Sequence, residues 1–135
     1  ICLYGLDIDK EYYSRHSSRE MDVSYIEEVL GDIDSSLYNI MIAHNPEYFD
    51  TYAKWGADLT LSGHNHGGIV NLPFVGGVIS TRARLFPKYD RGLFTKDYKK
   101  LILSSGLGSH TIKISFNNIP EIIDIRLSVE TNEEK

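Results

Sequence analysis

The stretch Asn39-Ile40-Met41-Ile42-Ala43-His44-Asn45-Pro46 reads as a buried β-strand that ends on a histidine and turns at once into a helix. Four apolar residues in a row suit a strand covered on both faces, and proline is accommodated in the first turn of the helix that follows. That helix runs to about Trp55 and closes at Gly56-Ala57. A second short strand then rises through Leu59-Thr60-Leu61-Ser62 into Gly63-His64-Asn65-His66-Gly67-Gly68. Two strands separated by a helix predict an α/β unit, in which ligands collect beyond the carboxyl ends of the strands. Both of these strands carry histidines there.

Working outward, residues 1–6 form another short apolar run, closed by Asp7-Ile8-Asp9. From Asp22 to Leu30, Val23, Ile26, Val29 and Leu30 fall at helical spacing, with Asp22 or Ser24 as the cap and Gly31 just past the end. After Gly68 the pattern becomes mostly β, with short strands expected at 69–72, 77–80, 92–95, 100–104, 111–116 and 121–128. Residues 129–135 have no apolar periodicity and are expected to fray. The domain reading is therefore one unit over 1–128 with a polar tail over 129–135.

The 135 residues are 41% hydrophobic and 24% charged, the profile of one ordinary globular domain. A net charge of -5 argues against a broad nucleic-acid footprint, which needs clustered Lys and Arg. The single cysteine, Cys2, excludes an intrachain disulfide, and its apolar neighbours predict a buried thiol. No apolar run approaches the roughly 20 residues needed to span a bilayer as a helix. The chain begins on Ile1 inside an expected strand, from which we expect upstream sequence.

His64 and His66 stand two apart in a glycine-flanked loop, which lets the backbone direct two imidazoles into one pocket or onto neighbouring metal ions. His44 joins them as the third candidate ligand; taken alone, a histidine after a strand is more often a hydrogen-bonded structural residue. Asp7 and Asp9 form an Asp-x-Asp that can bind a divalent cation, although strand-ending carboxylates are commonly solvated turn residues. His16 and His110 read as surface residues. Tyr48 and Tyr52, at i and i+4, read as packing against the sheet. Arg82, Arg84, Lys88 and Arg91 form a local basic cluster that suits either an anionic substrate or a solvated loop.

Taken together, Ile42-Ala43-His44-Asn45-Pro46, Trp55 to Leu59, and Leu61-Ser62-Gly63-His64-Asn65-His66-Gly67-Gly68 resemble the last two metal motifs of the calcineurin-like metallophosphoesterases. Leu85 to Tyr89 and Ser104 to Gly108 resemble the same branch, so the likeness covers about residues 39–128. It implies the C-terminal half of a two-sheet α-β-β-α sandwich. It also implies that His44 and His64 bind one metal and His66 the other. These three would be the catalytic and metal-ligating residues.

The family's Asp-x-His, its bridging Gly-Asp and its Gly-Asn-His-Asp or Gly-Asn-His-Glu are absent from these residues. Gly31-Asp32-Ile33-Asp34 imitates the second of them but follows a helix and reads as a decoy. The resemblance further implies two divalent transition-metal ions (Mn, Fe, Zn, Co or Ni) and hydrolysis of a phosphomonoester or phosphodiester by a bridging hydroxide. This chain would supply the histidine ligands only, be inactive alone, and take the N-terminal half of the domain as its partner. Two rival readings are a non-catalytic, self-associating fragment and a module with a single metal site. Cytoplasmic and membrane-associated locations both suit the resemblance.

Overall fold

A computed structural model describes residues 1–13, 20–64, 70–72, 76–79, 88–89, 91–107 and 120–128. The expected strand at 111–116, the tail at 129–135, and His16, His66, His110, Arg82 and Arg84 lie outside the described residues.

The first strand, β1 (Cys2–Leu6), is followed by a 3-10 turn, Lys10–Tyr13, and helix α1 (Val23–Leu30). Then come β2 (Asn39–Ala43), a 3-10 turn at Pro46–Tyr48, helix α2 (Phe49–Trp55) and β3 (Leu59–Ser62). The short strands β4 (Val70–Leu72) and β5 (Gly76–Ile79) pair antiparallel as a separate two-stranded sheet. Finally β6 (Gly92–Lys96) and β7 (Lys99–Leu103) form a hairpin. The main sheet has the order β1-β2-β3-β7-β6, with the first four strands parallel and β6 antiparallel. The fold is α/β, as the strand-helix-strand pattern predicts.

An isolated helix of eight residues is marginal in water, so α1 owes its existence to its caps and to packing. Asp22 Oδ1 accepts the Ser24 N–H at 2.9 Å, and the Gly31 N–H donates to the Glu27 carbonyl at 2.8 Å. Ile26 is wholly buried in a core with Leu6, Met41, Ala43, Tyr52 and Trp55, which places both helices on the same face of the sheet. Burial of such a side chain contributes about 1.5–3 kcal/mol. Tyr52 is fully buried, as its helical spacing from Tyr48 suggests. Phe49, Tyr89, Leu101 and Leu103 continue the core under β7.

The start of the parallel strands is tied by Asp58. Its carboxylate accepts the Asn39 N–H at 2.7 Å and pairs with Lys99 at 2.7 Å, while its carbonyl accepts the Lys100 N–H at 2.9 Å. One aspartate thus links β2, the entry to β3 and β7.

Three expectations need correction. β1 is an edge strand with alternating exposure, so Leu3 is 63% exposed and Cys2 only half-buried. The thiol is therefore not in the core. Ile42, in the middle of β2, is 47% exposed and lies on the sheet face away from the helices. Residues 121–128 form no strand, because a strand exists only by pairing and no ladder reaches them among the described residues. Ile122, Ile123 and Leu127 are exposed there, Ile122 by 82%.

Candidate metal and phosphoester site

The parallel strands end together, and hydrogen bonds join those ends side by side. Ser62 Oγ donates to the Ala43 carbonyl at 2.6 Å, the Gly63 N–H to the His44 carbonyl at 3.3 Å, and the Ser104 N–H to the Ser62 carbonyl at 3.1 Å. His44 and His64 follow just past this edge. Their rings lie 5.1 Å apart between centroids, at 80° to one another.

Local sequence accounts for that placement. After His44 the chain must turn, and the buried Asn45 makes it do so: its Oδ1 caps the Glu47 N–H at 3.0 Å, and Pro46 opens the 3-10 turn. The Asn45 carbonyl accepts the hydroxyl of Tyr52 at 3.0 Å, anchoring the turn to α2. After β3, Gly63 leaves room beside the His44 ring. A Cβ there would stand 3.5 Å from His44 Nδ1, in ordinary contact. His64 then takes a left-handed backbone, φ 69°, a conformation in which histidine is enriched several-fold among non-glycine residues.

Tyr13 is the residue that sequence reasoning missed. Its ring lies 5.4 Å from that of His64 and 6.4 Å from that of His44. Its place follows from the sheet and not from the local sequence: β1 and β2 are adjacent and parallel, so residues just after β1 border whatever stands at the end of β2.

Asp7 and Asp9 are exposed, and the Asp9 main chain is used up in a turn, its N–H bonded to Tyr25 Oη and its carbonyl to the Tyr12 N–H. In the decoy segment, Asp34 accepts the Ser36 N–H and hydroxyl, which hold its carboxyl below the usual range. Among the described residues no three His, Cys, Asp or Glu side chains are grouped as a metal site. Of the basic cluster, Lys88 pairs with Asp50 on α2 at 2.9 Å.

The donor set suits a transition-metal ion. Imidazole nitrogens bind such ions at about 2.0–2.1 Å, which puts two rings on one ion roughly 5 Å apart between centroids. The observed 5.1 Å matches that spacing for His44 and His64, and an edge-to-face ring contact has the same separation.

Comparison with known proteins agrees with this chemistry. No family model and no solved structure matches the chain. It is 33% identical over 108 residues to an uncharacterised metallophosphoesterase of Aquifex aeolicus, covering 78% of this chain and 38% of that protein. It is 29% identical over 96 residues to the uncharacterised metallophosphoesterase YkuE of Bacillus subtilis, covering 71% and 33% respectively. Identity to the UDP-2,3-diacylglucosamine pyrophosphatase LpxG of Chlamydia trachomatis is 30% over 105 residues, 73% of this chain and 32% of LpxG. The matched regions span about a third of the length of these curated relatives. The chain belongs to the calcineurin-like metallophosphoesterases.

Proposed function

We propose that this chain supplies the histidine side of a metal-dependent phosphoester hydrolase site. The observation that carries the proposal is the His44–His64 ring pair, 5.1 Å apart at the joined ends of β2 and β3. His44 and His64 would hold one divalent ion, and His66, two residues further along a glycine-rich loop, the other. Bound there, such ions supply an activated water and neutralise charge on the phosphoryl oxygens.

What the chain itself does is hold the ligands. The Ser62 and Gly63 hydrogen bonds fix the two strand ends against each other, and the Asn45 cap sets the angle at which the chain leaves His44. Three neutral imidazoles bring no negative charge to offset two dications, so the site needs carboxylates besides these histidines. The whole enzyme then hydrolyses phosphomonoesters or phosphodiesters. The named activity of the relative LpxG extends the candidates to nucleotide-linked pyrophosphates.

The test is hydrolysis of bis-p-nitrophenyl phosphate with Mn²⁺ by the protein as its gene encodes it. His44→Ala, His64→Ala and His66→Ala should each lower kcat/KM on the order of 10²-fold or more, the scale of losing one group that stabilises the transition state. Full activity in all three variants would refute the proposal.

One observation favours a second property of the 135-residue chain taken alone. Leu3, Ile42 and Leu93 are 63%, 47% and 62% exposed on strands of the main sheet. Apolar exposure of this kind drives association with further copies of the chain. Light scattering would show particles larger than a monomer, and a clean monomer would exclude it.

A further inference from the structure

Strand β7 ends at the same edge as β2 and β3, and the ladder between β3 and β7 pairs Ser62 with Leu103. It continues one step further, because the Ser104 N–H donates to the Ser62 carbonyl at 3.1 Å. Neighbouring strand backbones run about 4.8 Å apart, so the turn Ser104-Ser105-Gly106 borders the chain at Gly63 and His64. Gly106 is left-handed, φ 69°, and its N–H donates to Ser104 Oγ at 3.0 Å, which closes the turn.

Ser105 brings two donors to this place. Its main-chain N–H donates to Glu121 Oε1 at 2.7 Å, short as hydrogen bonds to an ionised oxygen are. Its hydroxyl is buried, the residue being 3% exposed, and Oγ has no hydrogen-bond partner among the described residues. A buried hydroxyl left so lowers stability, and native folds keep one chiefly where something else completes it. Glu121 itself is half-buried, with its N–H on the Gly106 carbonyl at 3.1 Å, and it opens a segment, 121–128, that no ladder reaches among the described residues.

We propose that the Ser105 turn is a subsite for an anionic phosphoryl oxygen, with the Ser105 hydroxyl and N–H as its donors and the Glu121 carboxylate holding the oxygen's place until phosphate enters. This rests on the reading of His44 and His64 as metal ligands, since it places a further part of the substrate at the same edge. Both donors are uncharged, which suits an oxygen whose group is already neutralised by ions, and donors fixed in advance need no reorganisation when it binds.

The experiment uses the protein as its gene encodes it, loaded with Mn²⁺ and titrated with inorganic phosphate by calorimetry, for the wild type, Ser105→Ala, Glu121→Gln and His64→Ala. Ser105→Ala should bind phosphate about tenfold more weakly, the scale of one hydrogen bond to a charged group. It should also unfold no earlier than wild type on heating, because the hydroxyl it removes makes no hydrogen bond in the free protein. Glu121→Gln keeps an oxygen for the Ser105 N–H but loses its charge, so the internal competitor is weakened and phosphate should bind about three- to tenfold more tightly. Opposite shifts from the two variants distinguish a guarded subsite from a clamp that only shapes the turn, whose loss would weaken both.

Phosphate affinity in Ser105→Ala equal to wild type, or affinity in Glu121→Gln no tighter than wild type, would overturn the proposal. Should Glu121→Gln fail to give native circular dichroism, Ser105→Ala decides the matter. A parallel titration with Mn²⁺ keeps the two claims apart. His64→Ala should lose Mn²⁺ binding; if it binds Mn²⁺ as wild type does, the metal reading has failed and the subsite with it, whereas an unchanged Ser105→Ala beside a defective His64→Ala refutes the subsite alone.

Discussion

Replacing Gly56 by alanine should be the most damaging single-methyl change at a glycine among the described residues. Gly56 closes α2 and starts the descent to β3, with φ 128° and ψ 2°. A side chain in so sparsely populated a conformation costs about 1–3 kcal/mol in strain. The added Cβ would also stand 2.9 Å from Ile33 Cγ2 and 3.1 Å from its Cδ1, with the Ile33 Cβ at 3.7 Å. Ile33 is partly buried against the core and the nearest contact is its Cγ2, one bond from its Cβ, so relief requires a rotamer or backbone shift and overpacking adds about 1–3 kcal/mol.

The internal control is Gly31, whose φ of 79° and ψ of -168° also favour glycine, but where an added Cβ meets nothing within 4 Å. Gly31→Ala should therefore lose only the strain, about 1–3 kcal/mol. The difference between the two variants isolates the crowding. Urea unfolding followed by fluorescence measures it, since Trp55, the sole tryptophan, is 5% exposed and adjoins Gly56. We expect Gly56→Ala to be the less stable variant by at least about 1 kcal/mol, and Ile33→Ala in its background to recover part of that difference. Equal losses at the two glycines would refute the packing described around Ile33.

Tyr52→Phe should lower stability by about 1–3 kcal/mol, because it leaves the buried Asn45 carbonyl without its hydroxyl donor, and thermal unfolding would show this. Asp58→Ala strands the Asn39 N–H and leaves the Lys99 ammonium with only the Gly56 carbonyl, and should lose about 1–3 kcal/mol by the same assay, whereas Lys99→Ala should lose less. Burial pushes Asp50 up, but the hydrogen bonds and charges of Lys88 and Lys96 outweigh it and hold its carboxyl below the ordinary value. A depressed pKa contributes stability above the unfolded value near 3.9, and this is lost as pH falls through the folded value; acid unfolding of Asp50→Asn should show a shallower pH dependence below about pH 4. Gly63→Ala should leave Mn²⁺ affinity nearly unchanged, since the new Cβ makes only ordinary contact with the His44 ring at 3.5–3.6 Å.

What was legible in the sequence is what local chemistry decides. The apolar run of β2, the proline after His44 and the glycine closing each helix act over a few residues, so β2, α2, β3 and α1 were readable, and with them the positions of His44 and His64. Pairing across long separations was not. Nothing in Lys99–Leu103 announces that it lies parallel to β3, and the alternating apolar residues of 121–128 suit a strand whether or not a partner exists. Exposure of Leu3 and Ile42 was hidden for a related reason, because a hydrophobic side chain does not report whether its sheet face is covered. Tyr13 was invisible since its importance comes from β1 and β2 being neighbours, a property of the sheet and not of the Tyr12-Tyr13 pair.

The central claim is that His44 and His64 are metal ligands, and one measurement addresses it without recourse to activity: anomalous diffraction at the Mn absorption edge from crystals of the protein, as its gene encodes it, grown with Mn²⁺. The account predicts an anomalous peak between the two rings, within about 2.0–2.3 Å of one nitrogen of each imidazole. Anomalous density absent from that position, with the two rings held instead by hydrogen bonds to neighbouring protein groups, would contradict it.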